Sequence, residues 1–179
     1  MNSSANHRVL VIDDNPSIHE DFRKILGDRH HTGDSLEARE ALLFGARRET
    51  TPLPEFEVDS AYQGEEGLER IVSACREDHP FAVAFVDVRM PPGWDGVETI
   101  ERIWAADPDI QLVICSAYSD YSAGNILQRL GVSDRLLMLR KPCDTAEILL
   151  IASTLCQKWS LAEAARSVQD MCESSKVAT

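Results

Sequence analysis

Arg8-Val9-Leu10-Val11-Ile12-Asp13-Asp14-Asn15-Pro16 is the stretch whose reading decides the fold. Its apolar run is short, unbroken and rich in β-branched residues. That marks a strand buried on both faces, because a strand with one wet face alternates. Asn15-Pro16 breaks the strand, and Pro16 suits the first turn of a helix. Ile18, Phe22, Ile25 and Leu26 then recur at helical spacing, with Gly27 as the predicted stop. The two acids therefore fall at the turn between a buried strand and a helix.

Three further apolar runs end in the same way. Asp87 closes Phe81 to Val86, Ser116 closes Ile110 to Cys115, and Lys141-Pro142 follows Leu136 to Arg140. Between them the pattern predicts helices over Gly64–Arg76 (Leu68, Ile71, Val72 and Cys75 inward), Val97–Ala106 and Ser122–Leu130, the last stopped by Gly131. Phe56 to Ala61 alternates and reads as a more exposed strand. Strands alternating with helices imply a parallel sheet covered on both faces. The predicted fold is a doubly wound five-stranded sheet in the order 2-1-3-4-5, which sets the ends of the first and third strands side by side.

Asp28 to Glu55 does not fit that alternation. It reads as an insertion between the first helix and second strand, with its own helix over Ser35–Ala46. His30-His31, within it, reads as polar surface. A last helix is capped by Asp144, with Glu147 at the capping-box position. It runs through Ile148, Ile151, Leu155 and Trp159. Leu161, Ala165, Val168 and Cys172 continue it at spacings that suit either a dimer seam or packing back on the domain. The expected organisation is a loose tail over 1–7, a domain over 8–160 with the insertion at 28–55, and a helical extension over 161–179.

Hydrophobic residues make up 44% of the 179, enough for a core, and charged residues 27%. A net charge of -12 argues against a nucleic-acid surface and against an anionic membrane surface. Cys75, Cys115, Cys143, Cys156 and Cys172 form no C-x-x-C pair, and no signal peptide is recognised. Reduced thiols in a cytoplasmic protein are expected. Cys75 and Cys115 read as packing residues. No apolar run approaches the length of about 20 residues that spans a membrane.

Asp13, Asp14 and Asp87 brought together would repel and take up protons unless a cation joined them. Mg²⁺ suits such a cluster, since it prefers oxygen ligands and pairs with phosphate. Lys141 would add a second positive charge and Ser116 a hydroxyl. A carboxylate is a competent nucleophile toward phosphorus, and phosphoryl transfer is catalysed mainly by positioning and charge neutralisation. Taken singly, Asp13-Asp14 could cap a helix, Asp87 could end a turn, and Lys141-Pro142 is a common dipeptide. All of them in order, each at a strand end, is not common.

These residues resemble the receiver domain of two-component response regulators. The resemblance covers Arg8 to about Trp159. It is carried by Val11-Ile12-Asp13-Asp14-Asn15, by Phe85-Val86-Asp87-Val88-Arg89-Met90-Pro91 with Asp95-Gly96, by Ile114-Cys115-Ser116-Ala117 and by Arg140-Lys141-Pro142. It implies a flavodoxin-like fold with Asp87 as phosphoacceptor. Mg²⁺ would be held by Asp13, Asp14, Asp87 and the backbone carbonyl of Arg89. Ser116 would be the switch hydroxyl and Lys141 the phosphate-sensing lysine. The partner would be a histidine kinase or phosphotransfer protein. The last helix, or the face of the fourth helix, fifth strand and last helix, is a candidate surface for a homodimer. The chain would be no enzyme beyond its own phosphorylation and dephosphorylation, and either stands alone or forms part of a longer protein.

The pattern departs from the family in the long insertion, in the extra residue of Pro91-Pro92-Gly93-Trp94, and at Met138, where an aromatic switch residue is usual. Arg89 and Tyr118 flank the acceptor and would shield an acyl phosphate, so slow self-dephosphorylation is expected. A phosphatase using Asp87 as nucleophile would need a second acid two residues on, where Arg89 stands. A docking scaffold independent of phosphate is the other alternative.

Overall fold

The computed structural model describes residues 5–27, 54–117 and 123–177. β1 (Arg8–Ile12), β2 (Glu57–Ala61), β3 (Val83–Asp87), β4 (Gln111–Ser116) and β5 (Leu136–Arg140) form one sheet in the order β2-β1-β3-β4-β5. Every neighbouring pair is parallel. The helices are α1 (Pro16–Leu26), α2 (Gly64–Arg76), α3 (Gly96–Ala106), α4 (Ala123–Leu130) and α5 (Thr145–Val177). The predicted flavodoxin-like topology is the observed one.

Alternation along each strand divides the core into two layers. Leu10 and Ile12 point into the layer with Ile71 of α2 and Ile100 and Ile103 of α3. Val9 and Val11 point into the layer with Phe22 and Leu26 of α1 and Ile148, Ala152, Leu155 and Trp159 of α5. β1 and β3, central in the sheet, are buried on both faces, which is why their sequences read as unbroken apolar runs. Each fully buried Leu, Ile or Phe contributes about 2 kcal/mol relative to an exposed one. β2 lies at an edge and is more exposed than β1 and β3, as its sequence suggests, but its burial rises toward its carboxyl end rather than alternating.

Local chemistry sets the helix ends. Asn15 accepts from the Ser17 N–H at 3.1 Å and Pro16 opens α1; Asp95 accepts from the Glu98 N–H at 2.7 Å and caps α3. Gly131 ends α4 with a left-handed φ of 72°. Asp144 caps α5 through the Ala146 N–H at 2.8 Å, and Glu147 makes no reciprocal bond among the described residues. In α2, Ile71 and the half-buried Leu68 meet the core as predicted, but Gly67 and Ala74 join them and Cys75 is exposed. The cause is Gly67, whose bare Cα lets the helix settle against the Ile12 side chain. The inner end of the N-terminal segment is tied down: the Asn6 N–H donates to Ser160 Oγ at 3.0 Å and its amide to the Pro80 carbonyl at 2.9 Å. The Ser35–Ala46 helix, His30-His31 and Tyr118 lie outside the described residues. No described helix is long and apolar enough to cross a membrane.

Candidate functional site

Strand register brings the chemistry together. Ile12 pairs with Val86, so Asp13 and Asp87 leave neighbouring strands at the same level. Asp87 pairs with Cys115, and Ser116 with Arg140, so Ser116 and Lys141 follow just beyond on the next two strands. Gly96 lets the start of α3 lie against the end of β3. A Cβ there would run into the Asp87 carbonyl oxygen and stand 2.9 Å from Val88 Cα.

The two acids are deeply placed: Asp13 is 3% exposed and Asp87 9%. Lys141 Nζ donates to Asp13 Oδ2 at 2.6 Å and also to Asp87 Oδ1. Asp87 Oδ2 accepts from the Arg89 N–H at 2.8 Å, and Asp13 Oδ1 from the Asn15 N–H at 2.9 Å. Burial pushes the Asp87 carboxyl above the usual carboxylate range, against the opposing pull of Lys141 and the Arg89 N–H. Burial would lower Lys141, but its bonds to Asp13 and Asp87 outweigh that and raise it above the ordinary lysine value. The result is a buried ammonium shared by two carboxylates.

The other residues read from the sequence stand nearby in different states. Asp14 is exposed, and among the described residues it bonds to none of the site's side chains. The Ser116 hydroxyl is buried and donates to the Ala117 carbonyl at 3.1 Å rather than to Asp87. Arg89 offers the site its N–H and is otherwise exposed. Met138 is half-buried and packs on the α2–α3 side of the core. A cavity of about 410 Å³ opens beside the acids between α1 and α5, lined by Phe22, Phe85, Cys115, Cys143 and Ile148.

No three His, Cys, Asp or Glu side chains converge as a closed metal cage among the described residues. Mg²⁺ does not require one, because it binds through one or two carboxylates and keeps several waters. The donors here are all oxygen, from the two buried carboxylates and from the exposed Asp14, which follows Asp13 in sequence. That set fits a hard cation.

Sequence reading missed His19. It is fully buried on α1, and its Nε2 lies 2.7 Å from the carbonyl oxygen of Asp13. The signal was present: His19, Phe22 and Leu26 share the inward stripe of the helix.

Residues 40–153 match the family model described as the response regulator receiver domain, more than half of the chain. The chain belongs to the response regulator receiver domain family. The matched range starts after β1 and α1, whose place in the fold is given by the pairing of β1 between β2 and β3. Among curated proteins, an uncharacterised transcriptional regulatory protein, YesN, of Bacillus subtilis is 30% identical over 92 residues. That alignment spans 51% of this chain and 23% of the relative's length. Among solved structures, an adenylate cyclase from Rhodopirellula baltica superposes with a TM-score of 0.65 at 21% identity, covering 92% of this chain and 98% of that one. A CheY-like receiver domain protein from Methanospirillum hungatei gives 0.58 at 19% identity, covering 86% and 96%. At such identities the likeness is one of fold.

Proposed function

We propose that this receiver domain is a phosphorylation-activated switch that takes a phosphoryl group onto Asp87 from a phosphohistidine on a histidine kinase or phosphotransfer protein. The observation that carries this reading is the Asp87 carboxylate, buried at the end of the central strand, bound to Lys141 and facing Asp13. In the transfer, one Asp87 oxygen forms the new bond to phosphorus as the bond to the donor nitrogen breaks, and the electron pair stays on that nitrogen. Asp13, Asp14, Asp87 and the Arg89 carbonyl are the groups that would hold Mg²⁺. When bound, the cation neutralises charge on the phosphoryl oxygens. Lys141, already within reach of Asp87, follows the added charge. The Ser116 hydroxyl gives up its Ala117 carbonyl for a phosphoryl oxygen.

That movement changes the face built from α4, β5 and α5, where Leu127, Leu137 and Leu150 are exposed. This reading makes that face the site of partner exchange, and a second copy of the chain one candidate partner. A phosphorylation-dependent change in mass measured by light scattering tests that point. The domain turns over no external substrate; its one reaction is at its own Asp87. Incubation with acetyl phosphate and Mg²⁺, followed by intact mass, tests the central claim. The expected result is a gain of one phosphoryl group, absent in Asp87→Asn; an equal gain in both proteins overturns it.

A further inference from the structure

His19 is fully buried, and the switch described above makes no use of it. A carbonyl oxygen can only accept, so the 2.7 Å contact with Asp13 requires the proton on His19 Nε2. The other nitrogen, Nδ1, is buried with no hydrogen-bond partner among the described residues. The imidazole is therefore a poor core filler, since an apolar ring would leave no nitrogen unpaired. What it adds is one directed bond, and that bond ends on the peptide joining Asp13 to Asp14. The ring is also held from the far side: it lies 4.5 Å from the Tyr62 ring, tilted by 53°. The Tyr62 N–H is in turn fixed by the Glu66 carboxylate at 2.7 Å.

We propose that His19 is a positioning residue for the divalent cation: its Nε2–H fixes the Asp13–Asp14 peptide, and so sets the two carboxylates that hang from it. This rests on the acidic site binding a cation, as in the reading above. Partners one bond removed from a metal's ligands commonly set its affinity by orienting those ligands. His19 plays that part through a backbone carbonyl.

Mn²⁺, which takes the same oxygen donors, serves as the probe, with free Mn²⁺ counted by electron paramagnetic resonance on the full chain. His19→Phe keeps the ring and removes the donor; it is expected to weaken Mn²⁺ binding about tenfold. His19→Gln, whose amide can donate, is expected to restore most of that loss. Equal Mn²⁺ affinity in wild type and His19→Phe, whatever the change in urea midpoint, overturns the proposal and leaves His19 a core residue. Wild type that takes up no Mn²⁺, or undiminished binding in Asp14→Asn, overturns the reading of the acidic site and the proposal with it. A measurement on wild type needs no variant to fold. Long-range ¹H–¹⁵N spectra should show the proton on Nε2, with that resonance moving as Mg²⁺ saturates. A proton on Nδ1 alone, or a resonance unmoved by Mg²⁺, overturns the assignment.

Discussion

The two ends of the sheet carry ion pairs of opposite character. At the carboxyl end, Lys141 is shared by Asp13 and Asp87, whose side chains are 4% and 11% exposed. At the amino end, Arg166 reaches from α5 to Asp109, Arg135 lies 3.6 Å from the same carboxylate, and Lys158 lies 3.0 Å from Asp134. Those side chains are all more than a third exposed. Water competes for each of these charges, so such pairs contribute little. At the carboxyl end the charges have lost their water, and Lys141 is shared by two carboxylates, so removing the lysine is expensive. The proposed response to an added phosphoryl group draws on the second kind, where an added charge is little screened by water. The Arg166 and Lys158 pairs instead fasten α5 to the loops at the amino end.

The sharpest way to break that contrast is Lys141→Met. With two buried carboxylates left facing each other, the protein should lose about 3 kcal/mol of stability in urea without divalent cation, and Mg²⁺ should recover part of the loss. A cost below about 0.5 kcal/mol, the size expected of a surface pair, would erase the distinction. Gly96→Ala tests the same end through the backbone. The added methyl has no room against the Asp87 carbonyl, so a loss of about 2 kcal/mol is expected, together with slower labelling of Asp87 by acetyl phosphate.

Asp87→Asn should act in the other direction. Folding raises the Asp87 pKa, so the folded state favours the protonated form. That group's contribution improves as pH falls toward the raised pKa and is least favourable at neutral pH. In EDTA, the amide variant should therefore have the higher urea midpoint at pH 7, with the gap narrowing in acid; a gap that widens in acid contradicts the sign. Arg166→Ala gives the smallest effect. Its loss should stay within about 0.5 kcal/mol and shrink further in high salt, which thermal melts at two ionic strengths would show.

Much of this was legible in the residues. Continuous apolar runs at Val9–Ile12 and Phe81–Val86 can only be strands buried on both faces, and that forces a parallel sheet with helices on each side. The polar residue at each strand end then had one place to go. What was not legible depended on rotation and contact. The inward face of α2 turned on the bare Gly67 against Ile12, which apolar spacing ignores, so Cys75 was misplaced. His19 looked polar and was passed over, though the helix carries it to the back of Asp13.

By itself, then, the chain's order of residues determined the types of the described elements, the strand order and which carboxylate is proposed to react, because those follow from local periodicity and from which groups close each strand. Only the tertiary structure decided that Lys141 is divided between Asp13 and Asp87, that Asp14 stays in solvent, and that the Ser116 hydroxyl rests on Ala117. Hydrogen-bond partners and burial are properties of distance in three dimensions, and residues more than a hundred positions apart, such as Asp13 and Lys141, become neighbours only when the sheet has formed.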